Sequence, residues 1–205
     1  MKKFALLFGL ASILVPQGAQ GAQGGEATCD IVKNFNVSAA DAGRMARLEV
    51  SRAKGLAGAL ETENSSERAL IASLFKNDFE EISNPDQLIG DYKCRTIKMG
   101  GGLPSITYGW FACEVFPEEA ALIIRKNSGS QRFFGLLFPA GNGMAYRGAL
   151  GYGYETELKY YGGDEKRNQV GCLSAVGPDM DHFILEMPEP VFESEHNVIE
   201  LVRTR

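Results

Sequence analysis

Histidine is scarce in this 205-residue sequence, which contains only His182 and His196. Neither belongs to an H-E-x-x-H pattern and no Cys-x-x-Cys is present, so the usual zinc-ligand spacings are missing. The G-x-S-x-G elbow that presents a nucleophilic serine is also missing, and Ser130 lies in a predicted hairpin turn. We interpret both histidines as solvated loop residues. The sequence therefore predicts no catalytic set, no metal site and no cofactor.

Phosphate-binding motifs and an excess of positive charge are missing as well. The glycines at 100–102 are not followed by the Lys-Ser/Thr of a P-loop, and those from Gly148 to Gly153 do not match G-x-G-x-x-G. Lysine and arginine number 21 against 26 acidic residues, for a formal net charge of -5. A general nucleic-acid-binding protein needs a clustered basic surface. We therefore expect neither a nucleotide site nor a nucleic-acid partner.

The apolar run at residues 4–15 is too short to span a bilayer comfortably. It follows a short basic start and precedes a small, polar stretch, which is the pattern of a secretory signal peptide. Ala19 and Gly21 are small, so the sequence predicts a signal peptide at 1–21 that is cleaved after Gly21. The mature protein is then expected in the periplasm or outside the cell, without a stable membrane span. An uncleaved membrane anchor is the alternative.

Four cysteines, Cys29, Cys94, Cys113 and Cys172, allow three disulfide connectivities. We predict a Cys94–Cys113 disulfide, which would stabilise the fold by roughly 3 kcal/mol in the chain-entropy model. Cys29 with Cys172 is the complementary pairing and would tie the N-terminal segment to the sheet. Alternatively, Cys29 and Cys172 are unpaired, with Cys172 as a small buried hydrophobic residue.

The Cys94–Cys113 prediction depends on the strand register of a hairpin from Gly90 to Val115. Two strand-like segments flank a glycine-rich turn there, with one cysteine in each. If the cysteines lie directly opposite each other, one face of the hairpin is apolar and the other carries an opposite-charge pair. The expected partners are Tyr92 with Val115, Thr96 with Phe111, Lys93 with Glu114 and Ile97 with Trp110.

The segment 22–87 is predicted to carry two helices. The first runs from Val37 to about Leu60, with Ser38 as its cap and Asp41 as a capping-box-like partner. The second spans Ser66 to Lys76, where apolar residues recur at helical spacing. We interpret the residues that follow as a link into the second half of the chain.

After Leu88 the pattern changes to short apolar or alternating runs between turn signals, which predicts an antiparallel meander in 88–205. About eight strands are enough to close a small up-and-down barrel, and closure removes exposed sheet edges. The predicted fold class is α+β, with an N-terminal helical segment packed on a C-terminal antiparallel β-barrel; an open sandwich is the main alternative. The expected strands are 88–98, 105–116, 120–126, 131–138, 143–150, 169–176, 181–187 and 198–203.

The chain resembles the exported bacterial family called domain of unknown function 4893 in five ordered motifs: GDYKCRTIKMGG, YGWFACEV, SGSQRFFGLLF, YRGALGYGYE and PEPVFESEHNVIELVR. This resemblance implies export and a coherent fold, and it implies no activity or catalytic residues. A weaker likeness is to calycins, the lipocalin and avidin type of barrel. Gly90-Asp91-Tyr92 and Arg203 stand where those barrels carry a Gly-x-Trp on the first strand and a basic residue on the last.

Aromatic and basic side chains are candidates for a ligand site at the mouth of the barrel. Five tyrosines cluster between residues 146 and 161, where aromatic faces and phenol groups could receive a small ligand. Packing in the core is the favoured interpretation of these rings, and a ligand site is the alternative. The candidate ligand-binding residues are Tyr92, Phe111, Arg132, Tyr146, Tyr152 and Tyr154.

The preferred interpretation is a non-enzymatic envelope protein that binds a small apolar molecule or another envelope protein. A first alternative is an envelope hydrolase, in which Glu186 on a strand and Glu193 in the PEPVFESEH loop divide acid and base roles. A second is a proteinase-inhibitor-like barrel whose residues 22–36 reach into an enzyme cleft.

Overall fold

A computed structural model describes Cys29 and residues 34–76, 79–119 and 121–204. The predicted signal peptide at 1–21 lies outside the described residues. Three helices come first in the described chain: α1 (Ala39–Ala46), α2 (Leu48–Ala59) and α3 (Ser65–Leu74). Short 3-10 turns follow at Pro85–Leu88 and Glu165–Arg167.

The start of α1 is as predicted, but its length is not. Ser38 caps the helix, since its hydroxyl oxygen accepts the Asp41 N–H at 3.1 Å. A single helix from residue 37 to 60 is wrong, because Arg47 leaves the helical conformation between α1 and α2 (φ -108, ψ 20). The Arg47 side chain instead donates to the carboxylate of Glu189, far along the chain. Local periodicity cannot reveal a contact made across such a sequence separation.

The strands lie close to where the sequence predicts them. Each predicted run overlaps an observed strand with ends within two residues, although the run 105–116 is divided into two. The strand at Phe79–Glu80 falls in the stretch that the sequence indicates as a link. The observed strands are β1 (Phe79–Glu80), β2 (Gly90–Met99), β3 (Ser105–Thr107), β4 (Phe111–Glu118), β5 (Ala121–Lys126), β6 (Gln131–Ala140), β7 (Gly143–Tyr152), β8 (Asn168–Val176), β9 (His182–Pro188) and β10 (His196–Arg203).

Eight of these strands, β2 and β4 to β10, form a closed antiparallel barrel. Closure follows from β8, which pairs with β7 on one side and with β9 on the other. Strand β3 extends the pairing of β2, and β1 pairs with β8 at one end. The helices pack on the outside of the barrel. The predicted α+β class is therefore confirmed, with a barrel and not an open sandwich.

Alternate side chains of the barrel strands point inward and fill the interior. Four aromatic rings stand among aliphatic side chains there, and Tyr92 and Phe183 meet edge to face with ring centroids 6.0 Å apart. A cavity of about 50 Å³ remains near one end, beneath the loop 189–195. This volume suits a few water molecules, not an apolar ligand. The largest inward residues are Tyr92, Tyr146, Phe133, Phe183, Leu137, Met144 and Ile124.

Helix α2 lies very close to the outer wall of the barrel because it presents small residues to it. A Cβ added at Gly55 would stand 2.6 Å from the Cβ of His196, and one at Gly58 would stand 2.8 Å from the Cα of Gly100. These glycines weaken the helix by propensity, yet they allow this close approach. The apolar layer between helices and wall contains Ala59, Ile71, Leu74, Ile97, Met99, Ile184 and Val198.

The expected hairpin forms, but its predicted register is wrong by two residues. Tyr92 pairs with Cys113 and Cys94 with Phe111, so the two cysteines are diagonal neighbours. A shift of two keeps every side chain on its predicted face. Residues 108–110 carry one extra residue relative to β2, because the pairing is Ile97 with Thr107 on one side of them and Cys94 with Phe111 on the other. This bulge divides the predicted strand into β3 and β4.

Both cysteine pairs are disulfide-bonded in the structure. Cys94 and Cys113 have Cα atoms 5.8 Å apart and point into the barrel. Cys29 and Cys172 have Cα atoms 5.6 Å apart and lie on the outer wall beside Leu48 of α2. The second bond ties the N-terminal segment to β8. Two disulfides fit a protein of an oxidising compartment.

Candidate functional site

The most conspicuous polar group in the molecule is a buried set on the wall that α2 covers, here called the wall cluster: Ser51, Arg52, Glu186 and His196. The Ser51 hydroxyl lies 2.9 Å from His196 Nδ1, and His196 Nε2 lies 3.0 Å from the Glu186 carboxylate. Arg52 holds both oxygens of the same carboxylate at 2.6 Å. A serine, a histidine and a carboxylate therefore stand in the linear order and at the distances of a hydrolase triad.

The surroundings of Ser51 exclude a nucleophilic role in this conformation. Its hydroxyl donates to the Glu195 carbonyl at 2.7 Å and accepts the Glu189 N–H at 3.0 Å. Ser51, Glu186 and His196 are all 0 % exposed. A hydroxyl whose bonds are all used and which no substrate can reach cannot attack a carbonyl group. The wall cluster instead joins α2 to β9, β10 and the loop between them.

Charge balance in the wall cluster explains how a carboxylate is tolerated there. Burial raises the pKa of Glu186, but the hydrogen bonds and charges of His196 and Arg52 outweigh burial and hold this pKa below its usual range. Arg52 is also bound by Glu49. Buried ionised groups are stable only when they are paired and hydrogen-bonded in this way.

The interpretation of the two histidines as solvated loop residues is wrong. His196 is the first residue of β10 and is fully buried. His182 begins β9, where its Nε2 lies 3.0 Å from Glu200 and its side chain is about one-quarter exposed. Arg95 holds the other oxygen of Glu200 at 2.6 Å. Burial raises the pKa of Glu200, but its bonds to His182 and Arg95 lower it overall.

The two carboxylates that the sequence suggested as an acid–base pair are bound by different cations. Glu186 lies in the wall cluster under α2. Glu193 lies in the loop between β9 and β10, where its carboxylate contacts the ammonium group of Lys98. The side chain of Glu193 is 59 % exposed, whereas that of Glu186 is 0 % exposed. The structure thus does not bring these two groups into one cleft.

Two candidate ligand residues, Tyr92 and Tyr146, are parts of the filled interior. The Tyr92 hydroxyl donates to the Leu88 carbonyl at 2.6 Å, and burial raises the pKa of Tyr92 to about 12. The guanidinium of Arg203 lies 4.9 Å from the centre of its ring, so the two residues behind the calycin likeness are in contact. Burial likewise raises the pKa of Tyr146, whose hydroxyl donates to Gln169 at 3.1 Å.

The position of Tyr146 also explains a pair of glycines. Gly135 and Gly148 are direct partners in β6 and β7, and both would point their side chains inward. A Cβ at Gly135 would lie 2.3 Å from the Tyr146 ring, and one at Gly148 would lie 2.2 Å from the Tyr146 hydroxyl oxygen. The pair therefore makes room for a core tyrosine and does not form a phosphate loop.

The other candidates lie at the end of the barrel from which the long loops emerge. This end, here called the rim, consists of the connections 100–110, 127–130, 153–167 and 189–195. Arg132 and Tyr152 line a crevice of about 250 Å³. Tyr154 is 80 % exposed and stacks on Tyr152 with ring centroids 5.6 Å apart. Phe111 lies under the ammonium of Lys126, 4.1 Å from its ring centre.

A second depression at the rim, here called the rim groove, has a volume of about 460 Å³. Its apolar lining comes from Leu103, Ile106 and Tyr108. Its charged lining is confined to Lys98 and Glu193. The crevice beside Arg132, by contrast, is lined by charges of both signs, at Lys126, Arg132, Glu155, Glu157 and Lys159.

Exposed apolar side chains are concentrated at the rim. Among the described residues, eleven large hydrophobic side chains are exposed, and eight of them belong to the long rim connections, although Tyr160 packs on Phe134 of the outer wall and Trp110 on Arg95 of β2. The opposite end of the barrel has only Ile89 of this set. Such a one-sided distribution is typical of a binding surface. The eight are Leu103, Tyr108, Trp110, Tyr154, Leu158, Tyr160, Val191 and Phe192.

A third depression, also of about 460 Å³, lies on the outer wall of β5 to β7. Ile123, Phe134 and Leu136 form its apolar floor, and Arg147 and Tyr160 stand beside them. The Arg147 guanidinium is already used, since it donates to the carbonyls of Phe35 and Asn36.

Within the described ranges, no group of three or more His, Cys, Asp or Glu side chains could hold a metal ion. No helix in the part of the chain that the structure describes is long and apolar enough to cross a membrane.

Fold and site together define a small antiparallel barrel with a filled interior, a helix-covered wall and an apolar rim. The family model for the domain of unknown function DUF4893 matches residues 34–201, and the chain belongs to this family. The match covers the helices as well as the barrel. No curated protein and no solved structure matches the chain.

Proposed function

We propose that the protein is an exported, non-catalytic binding protein that takes a small apolar ligand at the rim and not inside the barrel. The observation that carries this proposal is the concentration of exposed hydrophobic side chains at one end of the barrel. Isolated exposed hydrophobic residues are ordinary, but a one-sided set is not.

Two further observations, on the barrel interior and on the wall cluster, support binding at the rim without catalysis. The inward-facing side chains pack against one another, and the cavity at the end beneath the loop 189–195 has a volume of about 50 Å³. Among the described residues, the serine, histidine and carboxylate that come closest to a catalytic set are buried and fully hydrogen-bonded. The rim groove, in contrast, is open and has a volume within the range of ordinary ligand pockets.

Calorimetric titration with straight-chain alcohols tests this proposal, because an alcohol carries an apolar chain without a charge. Burial of a CH₂ group contributes about 0.8 kcal/mol. Decanol should therefore bind roughly tenfold more tightly than octanol, which has two CH₂ groups fewer. If neither alcohol bound at its solubility limit, the proposal would be wrong.

A pair of variants locates the binding. Leu103 is 57 % exposed in the rim groove, and Val50 is 52 % exposed on α2. Leu103→Asp should weaken decanol binding about tenfold, since it puts a charge beside the chain, whereas Val50→Asp should leave it unchanged. Neither exposed position should affect folding by more than about 0.5 kcal/mol. Equal effects of both variants would contradict a site at the rim.

Export is supported by the pattern of residues 1–21 and by the two disulfides. Expression of the full chain in a bacterium, followed by cell fractionation and intact-mass measurement, tests it. The protein should appear in the periplasm with Ala22 as its first residue and with all four cysteines oxidised. Cytoplasmic protein that retains residues 1–21 would contradict export.

A further inference from the structure

The most unusual charge at the rim belongs to Lys98. Its side chain is only 6 % exposed, and the ammonium of a buried lysine is costly unless it is paired. Its carboxylate partner is Glu193, which approaches from the solvent side and is 59 % exposed. The ring of Tyr108 lies 5.6 Å from the same ammonium. Lys98 is thus a buried cation whose neutralising anion sits on a surface loop.

The loop that brings Glu193 is anchored on both sides of its exposed tip. Before the tip, the Glu189 N–H donates to Ser51 of the wall cluster. After the tip, the Glu195 N–H donates to the Met99 carbonyl at 3.1 Å. Residues 190–193 between these anchors are exposed or half-buried. The Glu193 side chain can therefore turn away from Lys98 without moving either anchor.

The backbone at Glu193 shows that its placement is not a relaxed one. Its φ of +75° lies in the left-handed region, which is unfavourable for a non-glycine residue. Its carbonyl packs against Gly101, where an added Cβ would stand 2.7 Å away. Gly101 itself has a φ of +97°. The left-handed backbone of Glu193 and the positive φ of Gly101 together hold this loop tip over the rim groove.

Lys98 and the apolar lining form one continuous surface. Lys98 is the direct strand partner of Ile106, so their side chains project on the same face. Tyr108, two residues further on, lines the same groove as Leu103. A ligand that places an anionic group on Lys98 would therefore lay an attached apolar chain along Leu103, Ile106 and Tyr108.

We infer that Lys98 binds the carboxylate of an apolar monocarboxylic acid, and that Glu193 occupies this position until the ligand displaces it. The exchange replaces one carboxylate by another on the same ammonium, so the buried charge stays neutralised throughout. The apolar chain of the acid supplies the free energy that favours the ligand over the tethered glutamate. This inference rests on the proposed function, because it names the ligand of the same rim groove.

Calorimetric titration of the mature protein with decanoate, decanol and acetate tests the inference. Decanoate should bind about tenfold more tightly than decanol, since only decanoate carries a carboxylate that can replace Glu193 on Lys98. Acetate has the charge without the chain and should not bind detectably. If decanol binds and decanoate binds no better, the carboxylate assignment is wrong while the proposed function stands. If neither binds, the proposed function itself fails.

Two variants separate the roles of Lys98 and Glu193. Lys98→Met keeps the length of the side chain and should abolish the preference for decanoate, measured as the ratio of the dissociation constants of decanol and decanoate. Lys93→Met, which removes an exposed lysine of the same strand, is its matched control and should keep the preference. Glu193→Gln removes the competing carboxylate and should tighten decanoate binding about fivefold. Thermal unfolding of each variant confirms that it is folded.

Glu195→Gln is the control for Glu193→Gln, because it removes the same charge from the same exposed loop. It should leave the affinity for decanoate unchanged within about twofold. An equal gain from both variants would show that general electrostatics at the rim, and not displacement of Glu193, governs binding. A Glu193→Gln variant that binds decanoate no better than the original protein would likewise overturn the inference.

Discussion

The helix-covered wall and the rim of this barrel hold their buried cations in opposite ways. On the wall, Arg52 shares the fully buried carboxylate of Glu186 with the fully buried His196 and has the half-exposed Glu49 as a further partner. At the rim, Lys98 is neutralised by Glu193, which reaches it from solvent. A cation that is held by a fully buried carboxylate fixes a structure, whereas one whose neutralising carboxylate is exposed can exchange it. The two regions therefore suggest attachment of the helices at the wall and ligand binding at the rim.

The largest expected effect on the free energy of unfolding comes from removing the Cys29–Cys172 disulfide, which attaches the N-terminal segment to the wall. The Cys29–Cys172 bond joins residues 143 apart in sequence, and the Cys94–Cys113 bond joins residues 19 apart. In the chain-entropy model these bonds contribute about 5 and about 3 kcal/mol. Replacing Cys29 and Cys172 by alanine should therefore lower the free energy of unfolding in urea more than replacing Cys94 and Cys113. The reverse order would contradict the view that the helical segment depends on its attachment to the wall.

The next largest effect is the difference in stability between variants that remove the carboxylate of Glu186 and that of Glu193. Glu186→Gln leaves Arg52 and His196 buried without their anion and should lower the free energy of unfolding by about 3–5 kcal/mol. Glu193→Gln also takes the carboxylate from a buried cation, Lys98, but on an exposed loop where water can replace it, so the loss should be smaller, about 1–2 kcal/mol. Urea unfolding of both variants measures the difference. If Glu193→Gln were as destabilising as Glu186→Gln, the two regions would not differ as described.

A smaller loss of stability is expected from Gly55→Ala, which tests how closely α2 approaches the wall. Gly55→Ala improves helix propensity, but its new Cβ would stand 2.6 Å from His196 and 3.3 Å from Met99. We expect a net loss of about 1–3 kcal/mol from overpacking, measured by urea unfolding.

Gly43→Ala in α1 is the matched control for Gly55→Ala. Its new Cβ would meet only the end of the long Arg47 side chain, at 3.2 Å, and no backbone atom. The same substitution should therefore be neutral or stabilising by up to about 1 kcal/mol. A stabilising Gly55→Ala would mean that α2 does not pack against β10 in this way.

The smallest effect is the dependence of stability on pH. Burial raises the pKa of Glu186, yet His196 and Arg52 lower it overall. A lowered pKa in the folded state gives stability that is full above the unfolded value, about 4.3, and is lost as pH falls through the folded value. The free energy of unfolding should thus decline below about pH 4, and Glu186→Gln should make this decline shallower.

Glu193→Gln is the control for the pH experiment, and Glu200→Gln gives a second comparison. Glu200 also has a lowered pKa, so its variant should reduce the decline as well. Equal pH dependence in the original protein and in Glu186→Gln and Glu200→Gln would show that these buried carboxylates do not drive the loss of stability in acid.

The barrel could be predicted from the sequence because its signals are local. Alternation with period two and turn residues between the runs placed the strands to within two residues. The register of the first hairpin was predicted incorrectly because one extra residue at 108–110 shifts the pairing, and Cys94 and Cys113 bond diagonally. A disulfide limits the distance between two residues but does not require them to be direct partners.

The wall cluster was missed because it depends on how a helix docks on a barrel. One signal was present: His196, Val198 and Glu200 alternate along β10 and thus share a face. Another was the spacing of Ser51, Gly55 and Ala59, which places small residues on one side of α2. The contact between Lys98 and Glu193 leaves no such signal, because a loop of irregular backbone conformation makes it.

Chemical-shift mapping of the ¹⁵N-labelled protein during titration with decanoate tests the central claim most directly. Binding at the rim predicts that amide shifts change at residues 98–108 and 190–194 and that those around Ser51 stay fixed. Changes centred on the inward-facing residues Tyr92, Tyr146 and Phe183, or on the outer wall at 134–136, would place the ligand elsewhere and contradict the account.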